Sequence, residues 1–238
     1  MSVTDEARWL AAFVDVDEDA DVAVVQDGGT ERRVGLHDYA GLYAVPGLYE
    51  AVYFEVLGGG SPHLLADVLE AVLPSDERAA RRVLDVGAGT GLVGELLHGR
   101  GFRTVYATDL EPQSAVAVLR DRPQVHAGAR TLNLDALTAE DRAWLAEVAP
   151  DVVTVAGAIG YGHLPASCLQ AVTELVGPGA LLAITVAPQF DDAPELAGHA
   201  AVLRSPAWEE VLRREGVHRR TAAGDILPVL ALVLRRNA

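Results

Sequence analysis

From Ser61 onward the apolar and polar positions fall into two alternating rhythms. Leu64, Leu65, Val68, Leu69 and Val72 recur at the spacing of one helix face, and Ser61-Pro62 before them predicts an N-cap with proline at the first helical position. Short apolar runs then alternate with amphipathic stretches. "RRVLDVG" reads as a buried strand, "GLVGELLHGRG" as a helix ended by glycine, "TVYAT" as a strand and "PQSAVAVLRD" as a helix. "RTLNL" is the third strand, and "TAEDRAWLAEVA" is a helix with Thr138 and Asp141 spaced for a capping box. "DVVTVAGA" gives the fourth strand, "PASCLQAVTELV" a helix and "ALLAITVA" the fifth strand. This order predicts an α/β fold with a parallel sheet covered on both faces. After Pro188 a polar loop, "PQFDDAPELAGHA", leads to a predicted helix around "PAWEEVLRREG". "VHRRTAA" and "ILPVLALVL", with Gly224-Asp225 between them, read as an antiparallel hairpin.

Residues 1–60 follow another pattern. "TDEARWLAAFV" predicts a short helix capped by Thr4, and "VDVDEDADVAVVQDGGTERR" an acidic connector with one strand and a Gly28-Gly29 turn. The acids do not match a calcium loop, whose glycine and distal glutamate are missing. "DYAGLYAVPGLYEAVYFEVLGGG" carries four of the six tyrosines. Tyr39 and Tyr43, and likewise Tyr49 and Tyr53, stand four apart on one helix face, and Pro46-Gly47 splits the segment into two helices. These rings either pack or form a lid over a substrate. The expected organisation is an N-terminal helical cap, residues 1–60, before one large domain, residues 61–238.

Composition narrows the partners. The chain has 238 residues, and its 19 basic side chains, all arginine, face 34 acids for a formal charge of −15. Such a surface repels nucleic-acid phosphates and anionic lipid headgroups. The densest basic cluster, Arg213, Arg214, Arg219 and Arg220, sits among Glu209, Glu210 and Glu215. One cysteine, Cys168, cannot form an internal disulfide, which fits the cytoplasm, and its place on a helix reads as a small buried residue. The first residues lack the basic and apolar regions of a signal peptide, and no apolar run reaches the roughly 20 residues of a membrane span. The pattern prefers neither monomer nor homodimer.

The chemistry concentrates at "VLDVGAGTG", residues 83–91. Gly87 and Gly89 at a strand end let the backbone turn and a ligand approach, which points to a nucleotide pocket. A dinucleotide fingerprint would read G-x-G-x-x-G, whereas here the spacing is G-x-G-x-G with Asp85 two residues before it. An acid there disfavours a diphosphate and suits a cationic ligand such as S-adenosylmethionine. Asp109, 24 residues after Asp85, is placed to accept both ribose hydroxyls of any nucleoside. No cluster of His, Cys and acids has metal-ligand spacing, so no metal is expected.

"VLDVGAGTG", "ATDLEP", "NLDAL" and "GPGALLAITV" together resemble the successive motifs of class I S-adenosylmethionine-dependent methyltransferases. "HDYAGLYAVPGLYEAVYFE" resembles the N-terminal region of bacterial small-molecule members. The resemblance implies a Rossmann-like, seven-stranded sheet of order 3-2-1-4-5-7-6 with strand 7 antiparallel. It implies that Gly87, Ala88, Gly89 and Gly91 approach the cofactor, that Asp85 orients its methionine end, and that Asp109, with Leu110 beside it, holds the ribose. For the adenine two alignments compete, Asn133-Leu134 and Asp135-Ala136, and Ala156 ends the fourth strand at the same pocket. "GAIGYGHLP" follows that strand where acceptor-side residues sit, making Tyr161 and His163 the first candidates for catalysis and His37 a third. Tyr39, Tyr43, Tyr49 and Tyr53 are the candidates for acceptor binding. The D/N-P-P-Y/F signature of amino-methylating nucleic-acid enzymes is replaced by "VAGAIGYG". The expected activity is methyl transfer to oxygen, nitrogen or carbon of a small, natural-product-like acceptor. Cyclisation or rearrangement with the same cofactor, a nicotinamide oxidoreductase and a non-catalytic binding module are the alternatives; Asp85 argues against the oxidoreductase.

Overall fold

The computed structural model describes residues 3–27, 29–160 and 163–238. Helix α1 (Val3–Ala11) leads into strands β1 (Val14–Asp17), β2 (Val22–Asp27) and β3 (Thr30–Gly35), followed by the short helices α2 (Tyr39–Ala44) and α3 (Leu48–Glu50), the latter continuing as a π-helical turn, Ala51–Val56. Then come α4 (Ser61–Val72), α5 (Ser75–Arg78), β4 (Arg82–Val86), α6 (Leu92–Gly99), β5 (Thr104–Asp109), α7 (Pro112–Asp121), β6 (Gly128–Thr131), α8 (Ala139–Val148) and β7 (Val152–Val155). The chain finishes with α9 (Ala166–Leu175), β8 (Leu181–Val186), a 3₁₀ turn at Pro194–Leu196, α10 (Ala197–Leu203), β9 (Trp208–Arg220) and β10 (Ile226–Arg236).

Seven strands form one sheet in the order β6-β5-β4-β7-β8-β10-β9, with β10 antiparallel to both its neighbours. Counted within the sheet this is 3-2-1-4-5-7-6, the predicted order. Alternation along each strand builds two cores. Leu84, Val86, Val153, Val155, Leu182 and Ile184 meet α8 and α9 on one face, while Val83, Val152, Leu181 and Ala183 meet α4 and α6 on the other. The strand order reverses at β4, which pairs with β5 on one side and β7 on the other; in open α/β sheets this is where ligands bind.

Three expectations need correction. "PAWEEVLRREG" is strand, not helix: Trp208 pairs with Arg236 and the ladder runs to Arg220 opposite Ile226. Its Glu, Leu and Arg residues favour helix, but pairing with the apolar β10 overrides propensity, and the charges protect an exposed sheet edge. Residues 14–35 hold a three-stranded antiparallel sheet where one strand was expected. Its apolar signal is period two in short runs: Ala23 and Val25, then Val34 and Leu36, face a small core with Leu42, Leu48 and Val52. The predicted caps also shift. Gly60 is the N-cap of α4, and Ser61 Oγ lies 2.8 Å from His218 Nδ1 instead of capping; Thr4 lies inside α1. Thr138 and Asp141 do form the capping box, and Pro46-Gly47 does break the tyrosine segment. Gly28 of the predicted turn lies outside the described residues.

Candidate functional site

At the carboxyl ends of β4, β5 and β7 lies a cavity of about 390 Å³, roofed by the tyrosine segment. Its floor is the turn from β4 into α6. Gly87, Gly89 and Gly91 all take positive φ (69°, 57° and 89°), the region that favours glycine. The Gly87 and Ala88 amides donate to the Thr108 carbonyl, which ties the turn to β5. A Cβ on Gly89 would stand 3.1 Å from the Tyr43 hydroxyl, and one on Gly87 2.9 Å from the Ala158 Cβ, so neither position has room for a side chain.

Asp109 ends β5 at the cavity wall. Its Oδ2 accepts from the Gly89 amide and its Oδ1 from the Glu111 amide, both at 2.9 Å. Each oxygen retains a lone pair, so the carboxylate can still accept two hydroxyls from a ligand. Burial raises its pKa above the ordinary carboxylate value, against the backbone hydrogen bonds that lower it. Asp85 lies behind the wall, 1 % exposed. The sheet register sets it opposite Thr154, whose hydroxyl donates to Oδ1 at 2.6 Å, while Oδ2 has no hydrogen-bond partner. Burial pushes its pKa up to about 7, with the Asp109 charge adding to the rise.

At the far end of the wall Asn133, Leu134 and Asp135 follow β6, and the Asn133 Oδ1 accepts from the Asp135 amide at 3.0 Å. Cys168 reaches the wall beside them. Burial pushes its thiol up to about 12, the Asp135 charge adding to the effect, which favours the neutral thiol. The roof is a cluster of rings. Tyr39 and Tyr43 are 5.8 Å apart, Tyr43 and Tyr49 5.1 Å, and Tyr49 and Tyr53 4.8 Å between centroids. Burial raises the pKa of all four phenols, so they stay protonated. At the mouth the His37 and His163 rings stack at 6.0 Å, and His37 Nδ1 lies 3.0 Å from an Asp21 carboxylate oxygen. Burial, then the neighbouring His37, lowers the His163 pKa.

Of the residues singled out in the sequence, Gly87, Ala88, Gly89, Asp109, Leu110 and Ala156 reach the wall, as do Asn133, Leu134 and Asp135. So do Tyr39, Tyr43, Tyr49 and His163. Four do not. Asp85 is turned to Thr154. The space beside Gly91 is filled by His126, whose Cε1 would meet an added Cβ at 2.7 Å. Tyr53 donates its hydroxyl to the Leu36 carbonyl at 2.7 Å, and His37 stands outside the wall against His163. Tyr161 lies outside the described residues. Sequence reasoning missed Glu111, Cys168 and Phe54 as wall residues. Glu111 carried a signal, an acid two residues past Asp109 and just before the Pro112 that opens a helix; Phe54 carried none beyond its place among the tyrosines. Among the described residues no group of His, Cys, Asp and Glu is arranged to hold a metal ion.

The chain matches a family described as a methyltransferase domain over residues 59–221, about two-thirds of its length. No curated protein matches it by sequence. Its fold is shared with several solved structures. One, described by the conversion of a disulfide bond into a thioacetal group during echinomycin biosynthesis, is 19 % identical, with 78 % of this chain and 85 % of that one covered at a TM-score of 0.54. A protein from Pyrococcus horikoshii, provisionally assigned as an RNA methyltransferase, is 10 % identical over 84 % of this chain and 89 % of its own, at 0.55. The N-methyltransferase NodS from Bradyrhizobium japonicum, in complex with S-adenosylhomocysteine, is 12 % identical over 73 % and 88 %, at 0.50.

Proposed function

The chain belongs to the methyltransferase domain family, and on that premise we propose that this S-adenosylmethionine-dependent enzyme methylates oxygen, nitrogen or carbon of a small, natural-product-like molecule. The wall fits the cofactor. The glycine turn forms a cradle that side chains at Gly87 and Gly89 would fill, and Asp109 lines the cavity with acceptor capacity left on its carboxylate. When bound, the cofactor supplies a methyl group on a sulfonium, open to in-line displacement. In this reading Asp109 takes the ribose hydroxyls, and Asn133 or Asp135 meets the adenine edge. Asp85, set back behind the turn with its pKa pushed up to about 7, adds negative charge that favours a cation only as it ionises.

The acceptor enters from the mouth, where burial lowers the His163 pKa and favours its neutral imidazole, which can take up a proton. Tyr39, Tyr43 and Tyr49 shield this end from water and orient the acceptor, so alignment supplies much of the rate. The observation that carries the small-molecule reading is the cavity itself: rings cover it, and among the described residues its wall holds carboxylates and no arginine. A phosphate backbone would find no cation there. The single cysteine supports a reducing cytosolic setting, and the natural-product-like acceptor a role in secondary metabolism.

The test is S-adenosylhomocysteine release, followed by mass spectrometry, with small-molecule, RNA and protein acceptor pools. Release with the small-molecule pool, accompanied by a mass gain of one methylene on its product, is the expected result. Release with RNA or protein alone would overturn the reading.

A further inference from the structure

Acidic groups stand on the β5 and β6 side of the cavity wall, behind it and at its mouth. Asp109, Glu111 and Asp135 stand on its wall, Asp85 lies behind it, and Asp21 stands at its mouth against His37. Nearby arginines are committed elsewhere. Arg120 donates to the Tyr43 and Ala44 carbonyls, both at 3.0 Å, and Arg122, 2 % exposed at its side chain, lies beneath the turn with Glu50 and Glu95. The chain has no lysine. A carboxylate or phosphate on the acceptor would meet like charge without a counterion.

The cofactor accounts for Asp109 and for one of the adenine-side residues. It leaves the mouth unexplained, where the Tyr39 ring lies 6.0 Å from His163 and 6.3 Å from His37. Tyr39 lies within electrostatic reach of both Asp109 and Asp21, whose charges add to burial in raising its pKa. Protonated phenols offer π faces free of their own negative charge, and aromatic faces beside carboxylates are a cation site. A neutral imidazole stands next to them.

We propose that the acceptor is an amine, bound in its ammonium form under the tyrosine rings at the His163 end of the cavity; the inference rests on the methyltransferase reading above. The reactive form is the minor one in which the ammonium has passed one proton to the His163 imidazole, which frees the nitrogen lone pair. Methylation then forms one N–C bond as the S–C bond breaks with its electron pair left on sulfur, so charge and atoms balance. An alcohol or phenol would use the imidazole but bring no positive charge to the rings and carboxylates.

Calorimetry on the full chain saturated with S-adenosylhomocysteine separates these classes, with benzylamine, benzyl alcohol and benzoate as probes at pH 7. Benzylamine is expected to bind at least tenfold more tightly than the alcohol, with benzoate undetectable. Tyr39→Leu is expected to cost benzylamine at least tenfold while still binding S-adenosylhomocysteine, which shows that the variant is folded. Binding of benzoate or the alcohol as tight as that of the amine, no binding by any of the three, or an unchanged amine affinity in Tyr39→Leu would overturn the inference. Failure of S-adenosylhomocysteine itself to bind would overturn the methyltransferase reading, and this inference with it.

Discussion

Asp85 near the end of β4 and Asp109 at the end of β5 lie on neighbouring strands, yet only Asp109 lines the cavity; Asp85 spends one oxygen on Thr154 and leaves the other unpaired in the interior. Burial disfavours its charged form and pushes its pKa up to about 7, the Asp109 charge adding to the rise. In the unfolded chain the group returns to its ordinary value, so the folded state binds the extra proton. The stabilisation from Asp85 is therefore full below the unfolded pKa, near 4, and is lost as pH rises through about 7. Asp85→Asn cannot ionise. Its melting temperature in the cofactor-free protein is expected to fall less than that of the wild type between about pH 5 and pH 8. Parallel melting curves across that range would contradict the buried, protonated Asp85. The identity of this residue was plain in the sequence, but its orientation was not: strand alternation fixes which face it takes only once Thr154 is known to lie opposite.

At the scale of elements, the end of α7 holds the tyrosine segment onto the sheet. Arg120 caps the C-terminal carbonyls of α2, where the helix dipole favours a cation. Arg122 donates to the Thr90 carbonyl at 2.8 Å and approaches Glu50 of α3 at 2.9 Å, and Thr90 Oγ1 donates to the same Glu50 oxygen at 2.7 Å. The roof and the glycine turn therefore share one buried network. Arg122→Ala strands the Glu50 carboxylate in the interior and is expected to cost about 3–5 kcal/mol in chemical denaturation. The double variant Glu50→Gln/Arg122→Met, which removes both charges, is expected to recover most of that loss; a double variant no more stable than Arg122→Ala would contradict it. Little of this network was legible in the sequence, because Glu50, Thr90 and Arg122 are ordinary residues until the fold joins them. Most of the β-α alternation from Ser61 to Val186 was legible, since β4, β5, β7 and β8 are short apolar runs bounded by turns; β6, expected at "RTLNL", lies earlier at Gly128–Thr131, where the sequence carries no apolar run. β9 was not legible either: its charged, helix-favouring sequence is held as strand by the partner it pairs with.

For the molecule as a whole, the sheet order supplies the crevice, the glycine turn and Asp109 shape its floor, and the tyrosine segment, through Tyr39, Tyr43, Tyr49 and Phe54, supplies its roof. Net charge acts in the same direction as the wall: at −15 the protein attracts cations and repels polyanions. Among the described residues no helix is long and apolar enough to cross a membrane. All of this turns on one claim, that the cavity beside Gly89 and Asp109 binds S-adenosylmethionine. Isothermal titration of the cofactor into the wild type and Asp109→Ala tests it directly. The account predicts one bound molecule per wild-type chain and an affinity weakened about 100-fold in the folded variant, the loss of two hydrogen bonds to a charged group. Absence of binding to the folded wild type, or equal affinity in the two proteins, would contradict it.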